Sequence, residues 1–352
     1  MLLRRWSKVP PLGPIDYALL PPDLGMNAPE PVRAALARFG RSEDLRFSPN
    51  NGLLAIAGFS RQRILILRIQ IGGTPEAPTI VADDFIEMQS SGIGLVHGLD
   101  FIDDNTLVVA NRDGGVSIIR VPEGPMAGRE CEVAPIGLVR GARFRRIHSP
   151  GSIAAVTEPG GEIGLLICNN YRHRVTRHVV SPSAGYRETE QETVFKRRLN
   201  VPDGIARSHD GAWVAVSSHG THDVKLFGSG GERRHAEPAG ELRSVGYPHG
   251  LRFTGDDRYL LVADAGAPLV HVYERGDTWA GVKEPIRSIV VLEEAVFLRG
   301  HSNREEGGPK GLDIDRSNRV VLLTCEEQAL AVFPLAAFIG QDAAEQAGAL
   351  FL

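Results

Sequence analysis

The stretch 247–273, YPHGLRFTGDDRYLLVADAGAPLVHVY, reads as three short strands in succession. Pro248, His249 and Gly250 open a first apolar strand. A polar turn over 254–257 leads to a second strand ending at Ala263 and Asp264, and a glycine-containing turn leads to an alternating strand over 269–273. β-Branched and aromatic runs broken by turn residues predict an antiparallel meander. The same pattern recurs at 202–227, 97–121 and 309–333, and more loosely at 43–69 and 150–180. Aligned on the residue before the glycine or its equivalent, the copies start at 43, 97, 150, 203, 249 and 310. Steps of roughly 46 to 61 residues suit propeller blades, not helical repeats. Each meander has an apolar face that only a neighbour can cover, so the units must stack radially and close. The expected fold is all-β: a six-bladed β-propeller over 43–335, with an N-terminal arm over 1–42 and a C-terminal helical tail over 336–352.

Outward from the repeats, the arm is rich in proline (10, 11, 14, 21 and 22) and therefore extended. Residues 29–39, PEPVRAALARF, have helical apolar spacing with Gly40 as a stop. Connectors such as 79–87 and 287–292 offer fourth, outer strands to blades one to five. The sixth lacks one, and segment 15–20 of the arm is the expected substitute. The chain has 352 residues and a net charge of −4, which gives no general attraction for nucleic acid or a membrane surface. No run approaches a membrane span, and the N-terminus lacks a sustained apolar signal core. Cys131, Cys168 and Cys325 form no C-x-x-C and cannot all pair, which fits buried thiols in a reducing, cytoplasmic setting.

In a propeller the loop entering each innermost strand lies at one rim of the central channel. The residue before the glycine is placed there, because glycine lets crowded backbones approach the axis. Around the ring this position reads Glu43 (or Asp44), His97, Pro150, Asp203, His249 and Lys310. The ends of the second strands supply a further ring: Gly58, Asn111, Asn169, Ser217, Asp264 and Thr324. Imidazoles, carboxylates and a lysine crowded together cost several kcal/mol each to desolvate unless paired or metal-bound. His97, Asp203 and His249 make a mixed N/O set suited to a divalent ion such as Zn²⁺, Mn²⁺ or Fe²⁺, with Ca²⁺ also open. Glu43 is a fourth ligand or a base. Lys310 suits a carbonyl or carboxylate better than a cation, and it joins Glu43 and Asp264 as a catalytic candidate. Asn111 and Asn169 are candidate substrate contacts. The connector over 274–308 ends in GHSNREEGG, a candidate lid from which His301 or Arg304 would reach the substrate. The run Arg140, Arg143, Arg145 and Arg146, with Arg172, Arg174 and Arg177, reads as a solvated strand and loop, or as an anion-binding face. His219 and His222 in SSHGTHD are three apart and read as loop residues rather than ligands.

Across 43–333 the repeats resemble those of the NHL, YVTN and gluconolactonase (senescence-marker-protein) propellers, most closely at 202–227 and 248–273. In gluconolactonase-like proteins the resemblance implies metal ligation by an Asn and an Asp before such glycines, and by an N-terminal Glu. Asp203 in PDG matches that Asp. His249 stands where a neighbouring Asn is expected, and Glu43 lacks the usual E-G-P setting. These departures resemble the histidine-rich centres of propeller lyases of the virginiamycin-lyase and peptidyl-amidating-lyase kinds. Two functions follow as expectations. One is a metal-dependent lactonase-like hydrolase or lyase acting on a small polar substrate at the channel. The other is a non-catalytic scaffold of the NHL or YVTN kind binding a protein or peptide on its rim.

Overall fold

Turn residues and β-branched runs alternate as the sequence predicts, and each of the six repeats folds as an antiparallel meander. The computed structural model describes residues 17–18, 23–75, 77–140, 147–229, 236–301 and 304–349. Blade one is built from Ser42–Phe47, Leu53–Gly58, Arg63–Gly73 and Pro78–Gln89, and blade two from Val96–Asp103, Thr106–Asn111, Val116–Arg120 and Gly137–Val139. Blade three comprises Pro150–Thr157, Ile163–Asn169, Arg174–Ser181 and Arg187–Phe195. Blade four comprises Pro202–Arg207, Trp213–Ser218, Asp223–Gly228 and Gly240–Leu242. Blade five comprises Pro248–Phe253, Tyr259–Asp264, Leu269–Glu274 and Arg287–Val290; blade six has three strands, Pro309–Ile314, Val320–Cys325 and Ala331–Pro334. The innermost strands touch one another in chain order, and that of blade one closes the ring on that of blade six.

Each innermost strand carries a register shift near its start, for example between Pro202 and Ile205 and between Pro248 and Leu251. An extra residue in a ladder bends the strand and re-aims a side chain. Here the re-aimed residue points to the axis. The glycine after it permits close approach. A Cβ on Gly204 would lie 2.0 Å from the His249 carbonyl oxygen, and one on Gly250 2.5 Å from that of Lys310. In blade three the aligned residue is Gly151, one beyond the expected Pro150, with Ser152 in the usual glycine place. That blade therefore supplies no side chain to the ring.

Six apolar clusters fill the six blade interfaces. Phe101, Leu99 and Leu107 of blade two meet Ile64, Ile66 and Ile86 of blade one. Phe253 of blade five, packed edge-on against Trp279, meets Ala215 and Leu226 of blade four. Phe47 sits between blades six and one with Val32, Ala35 and Phe39 of the helix Glu30–Phe39. The C-terminal helices Ala336–Ile339 and Gln341–Ala349 cover the interface of blades five and six. Cys168 and Cys325 are buried and all three cysteines are free. Among the described residues no helix is long and apolar enough to cross a membrane.

The arm crosses the ring closure. Of segment 15–20 only Tyr17–Ala18 lies within the described residues, and it pairs in parallel with the outer strand of blade five, not with blade six. The edge of blade six is met instead by Leu24, whose N–H donates to the Val332 carbonyl at 2.9 Å, and by the Asp23 carboxylate, which accepts from the Val332 N–H. Asn27 then exchanges two backbone bonds with blade one, to Ile80 and Ala82. Tyr17–Ala18 and residues 23–27 thus meet three consecutive blades, five, six and one, across the closure of the ring. Elsewhere, short parallel strands from the next blade's connector, Arg129–Glu132 and Gly281–Lys283, cover the outer edges of blades one and four.

Phe101 is buried in one of these interfaces. Phe101→Ala is expected to cost about 3–5 kcal/mol in unfolding free energy, measured by denaturant titration. A loss below about 1 kcal/mol would place the side chain outside the load between blades.

Candidate functional site

The bulged positions deliver Glu43, His97, Asp203, His249 and Lys310 to one mouth of the channel, all almost wholly buried. Four of them close a ring. His97 Nε2 lies 3.9 Å from Glu43 Oε2, and Glu43 Oε2 lies 3.6 Å from His249 Nε2. His249 Nε2 is 3.2 Å from Asp203 Oδ2, and Asp203 Oδ1 is 3.7 Å from His97 Nε2. Blades two and five oppose each other, yet their imidazoles bridge the axis, stacked with centroids 5.6 Å apart.

The fifth member, Lys310, stands behind Glu43 instead of facing the ring's centre. Its ammonium is fully buried, donates to Glu43 Oε1 (3.1 Å) and Glu306 Oε2 (2.6 Å), and forms an ion pair with Glu326 Oε2 at 2.9 Å. Arg41, stacked on Phe59, also pairs with Glu43. These cations engage Oε1 and leave Glu43 Oε2 buried with no hydrogen-bond partner. Asp203 is oriented in the same manner. Asn170 Nδ2 donates to its Oδ1 at 2.7 Å, leaving Oδ2 buried without a hydrogen bond.

A second tier surrounds the ring, one residue later than the sequence pattern suggested in blades one, two and three and two later in blades four and six. The second strands end at Gly58, Asn111, Asn169, Ser218, Asp264 and Cys325. The residues that follow are Phe59, Arg112, Asn170, His219, Ala265 and Glu326, and five of these six touch the cluster. Asn170 fills the place that Gly151 leaves free, its Oδ1 only 2.6 Å from where a Cβ on Gly151 would stand. His219 Nε2 lies 3.6 Å from Asp203 Oδ2, is buried without a hydrogen bond, and its ring lies against Tyr247 at 4.0 Å.

The strand-end residues themselves tie loops. Asp264 accepts N–H bonds from Gly246, Tyr247 and Gly266 and pairs with His271. Asn111 binds Gly94 and Gly92, and Asn169 binds His148 and Thr176. Each pins the loop entering the innermost strand or the neighbouring strand, so their polar groups are occupied away from the ring. From the candidate lid, His301 bonds the Glu306 carbonyl and Arg304 is exposed; Glu306 is the member that reaches the cluster. His222 bonds the Gly246 carbonyl. Of the basic run, Arg143, Arg145 and Arg146 lie outside the described residues, while Arg177 pairs with Glu158 on blade three.

The electrostatics fit cation binding. Burial pushes the Glu43 carboxyl up, but Lys310, His97, Arg41 and His249 together hold it well below the usual range. Burial also favours protonated Asp203, but His249, His97, His219 and Arg112 outweigh it and hold this carboxyl, too, well below the usual range. Burial lowers His97 to about 3, helped by Arg112, and lowers His219 to about 4 against the pull of Asp203. Ionised Glu43 and Asp203 beside a neutral His97 are in the protonation states that metal ligands require. Glu43, His97 and His249 form one set with donor atoms all within 4.8 Å of one another, and Asp203, His219 and His249 form another. Two ligands about 2.1 Å from one ion at a tetrahedral angle lie roughly 3.4 Å apart, and the ring's neighbours stand 3.2 to 3.9 Å apart. The groups are placed to hold a metal ion.

No protein-family model and no curated protein sequence matches the chain. Solved structures do. A protein described as a candidate gluconolactonase aligns with a TM-score of 0.53 at 11% identity, covering 91% of this chain and 93% of that one. A protein of unknown function from Desulfotomaculum acetoxidans DSM 771 aligns at 0.54 and 13% identity, over 84% and 83%. A candidate 6-phosphogluconolactonase from Bacteroides fragilis NCTC 9343 aligns at 0.51 and 12%, over 80% and 76%. Likeness at this identity establishes the propeller fold.

The lowered histidines have a measurable consequence. His97 and His219 titrate lower folded than unfolded, so the stability that depends on their neutral forms is complete above about pH 6.5. It is lost as pH falls from there toward 3 for His97 and toward 4 for His219. Asp44 and Asp100, which burial pushes up to about 6, act in the opposite sense, so the test must be differential. In metal-free protein, urea unfolding at pH 7, 5.5 and 4 is expected to show wild type losing more stability than His97→Gln or His219→Gln. Parallel pH profiles would contradict the assignment.

Proposed function

We propose that this propeller is a metal-dependent hydrolase of the lactonase kind, acting on a small polar ester or lactone at the mouth of the channel. The observation that carries this reading is the pair of buried carboxylate oxygens with no hydrogen-bond partner, Glu43 Oε2 and Asp203 Oδ2, that flank His249 Nε2. Polar atoms left unsatisfied in an interior cost about 1–3 kcal/mol each, and a cation held among them removes that cost. The neighbours described as gluconolactonases and 6-phosphogluconolactonases make a lactone the first substrate class to test. A scaffold that binds partners on its rim has no need of such a cluster.

Glu43, His97, Asp203 and His249 are the proposed ligands. A divalent ion among them supplies Lewis-acid polarisation of a carbonyl and acidifies water. Lys310 and Arg41 fix Glu43, and Asn170 fixes Asp203, so that Oε2 and Oδ2 face inward without rearrangement. His219, outside the ring but beside Asp203 Oδ2, takes the proton of the attacking water at Nε2. Tyr247 packs on that imidazole and holds its plane.

His249 belongs to both ligand sets, so His249→Ala is expected to abolish stoichiometric uptake of zinc or manganese, measured by elemental analysis after dialysis. His219→Gln is expected to keep the ion and to lose about 10²–10⁴-fold in kcat on δ-gluconolactone or γ-butyrolactone in a pH-stat assay. Protein that takes up no transition metal, or lactone hydrolysis untouched by His249→Ala, would overturn the reading.

A further inference from the structure

Among the described residues, Arg112 is the one cation at the site whose charge is not absorbed by hydrogen bonds to carboxylates. It stands in the turn after the second strand of blade two, held by its own N–H donating to the Leu95 carbonyl at 2.8 Å. Its guanidinium lies 5.7 Å from the centroid of the Tyr171 ring, which is itself exposed. Nη1 is buried and has no hydrogen-bond partner; the nearest acid, Asp203 Oδ1, is 3.6 Å away and already accepts from Asn170. Arg41 and Lys310 are different. They share Glu43, Glu306 and Glu326 between them.

The charge balance points the same way. Four carboxylates, Glu43, Asp203, Glu306 and Glu326, surround the site with three cations, Arg41, Arg112 and Lys310. With the imidazoles neutral, as ligands must be, the group carries one net negative charge. The divalent ion proposed above turns that into one net positive charge. A desolvated site with an uncompensated positive charge and an unpaired guanidinium N–H is complementary to an anion.

We infer that Arg112 is a specificity-determining residue that receives an anionic oxygen of the substrate, a carboxylate or phosphate carried next to the scissile bond. The inference rests on the metal reading above. Arginine is suited to the task, because its planar guanidinium donates charge-assisted bonds in fixed directions. Tyr171 offers the adjoining wall on the solvent side, where the Arg112 side chain is itself 22% exposed.

The test is calorimetric titration of zinc-loaded protein with glycolate, with its neutral analogue glycolamide, and with inorganic phosphate. Wild type is expected to bind glycolate or phosphate and to discriminate against glycolamide. Arg112→Gln should weaken anion binding about tenfold or more, and Arg112→Lys should recover part of it. Dependence on Arg112 for glycolate alone assigns a carboxylate, and for phosphate alone a phosphate ester. Zinc affinity measured alongside separates the possible failures. A wild type that takes up no zinc removes the metal reading. Normal zinc uptake with equal anion affinity in wild type and Arg112→Gln removes only the role of Arg112. Tighter zinc binding in Arg112→Gln with unchanged anion affinity would show that the arginine merely offsets Asp203.

Discussion

The close approach of six innermost strands at the axis is the constraint on which the rest depends. Six sheets converge on a channel too narrow for side chains on every residue. The chain answers with a bulge and a glycine near the start of most inner strands, so backbone touches backbone and every blade but the third throws one side chain inward. That geometry closes the ring, and it also sets ligands from opposite blades within one ion's reach. Blade three departs by placing Ser152 where four blades have glycine, and blade one by placing Asp44. Its backbone lies against Gly311, 2.8 Å from where a Cβ would stand, and its carboxylate accepts the Leu99 N–H and pairs with Arg46. Three residues further along, Arg46 and Arg252 pair with Asp44 and Asp313 and form a charged layer beneath the site.

Crowding charges near an axis is stable only if each is answered. Lys310 with Glu43, Glu306 and Glu326 does this on one side of the ring, and Asn170 with Asp203 on the other. The two arrangements share one outcome: one carboxylate oxygen is held from behind while its twin faces the centre. Removing a partner from a buried ion pair costs about 3–5 kcal/mol, because the remaining charge stays desolvated. Lys310 is therefore a foundation of the site more than a reagent, which explains why a lysine sits where a cation centre would seem to repel it.

The fold was legible because the turns and the strand alternation recur six times along the chain, with three of the repeats opening on P-x-G. The inner ring was legible for the same reason, since Glu43, His97, Asp203, His249 and Lys310 all precede a glycine or its substitute. The remainder was lost by single residues. Blade three was read at Pro150 instead of Gly151, and a strand's side-chain period of two makes one residue decisive. The same slip hid the second tier. Asn111, Asn169 and Asp264 end their strands and tie loops, whereas Arg112, Asn170, His219 and Glu326 come next and turn to the site. Counting one residue beyond the strand ends read from the sequence would have found Arg112 and Asn170, whereas the strands of blades four and six run one residue past Ser217 and Thr324, so His219 and Glu326 lie two beyond. No local pattern marks Glu306, which reaches Lys310 from a connector of blade-specific length. The arm was equally illegible, because a two-residue pairing such as Tyr17–Ala18 with blade five leaves no periodic trace.

The central claim is that the four-residue ring is a metal centre, and anomalous diffraction from crystals grown with one equivalent of zinc or manganese tests it most directly. The account predicts a single strong peak at the channel mouth, coordinated by Nε2 of His97 and His249 and by oxygens of Glu43 and Asp203. Anomalous peaks confined to surface groups, with only light density between the two imidazoles, would contradict it.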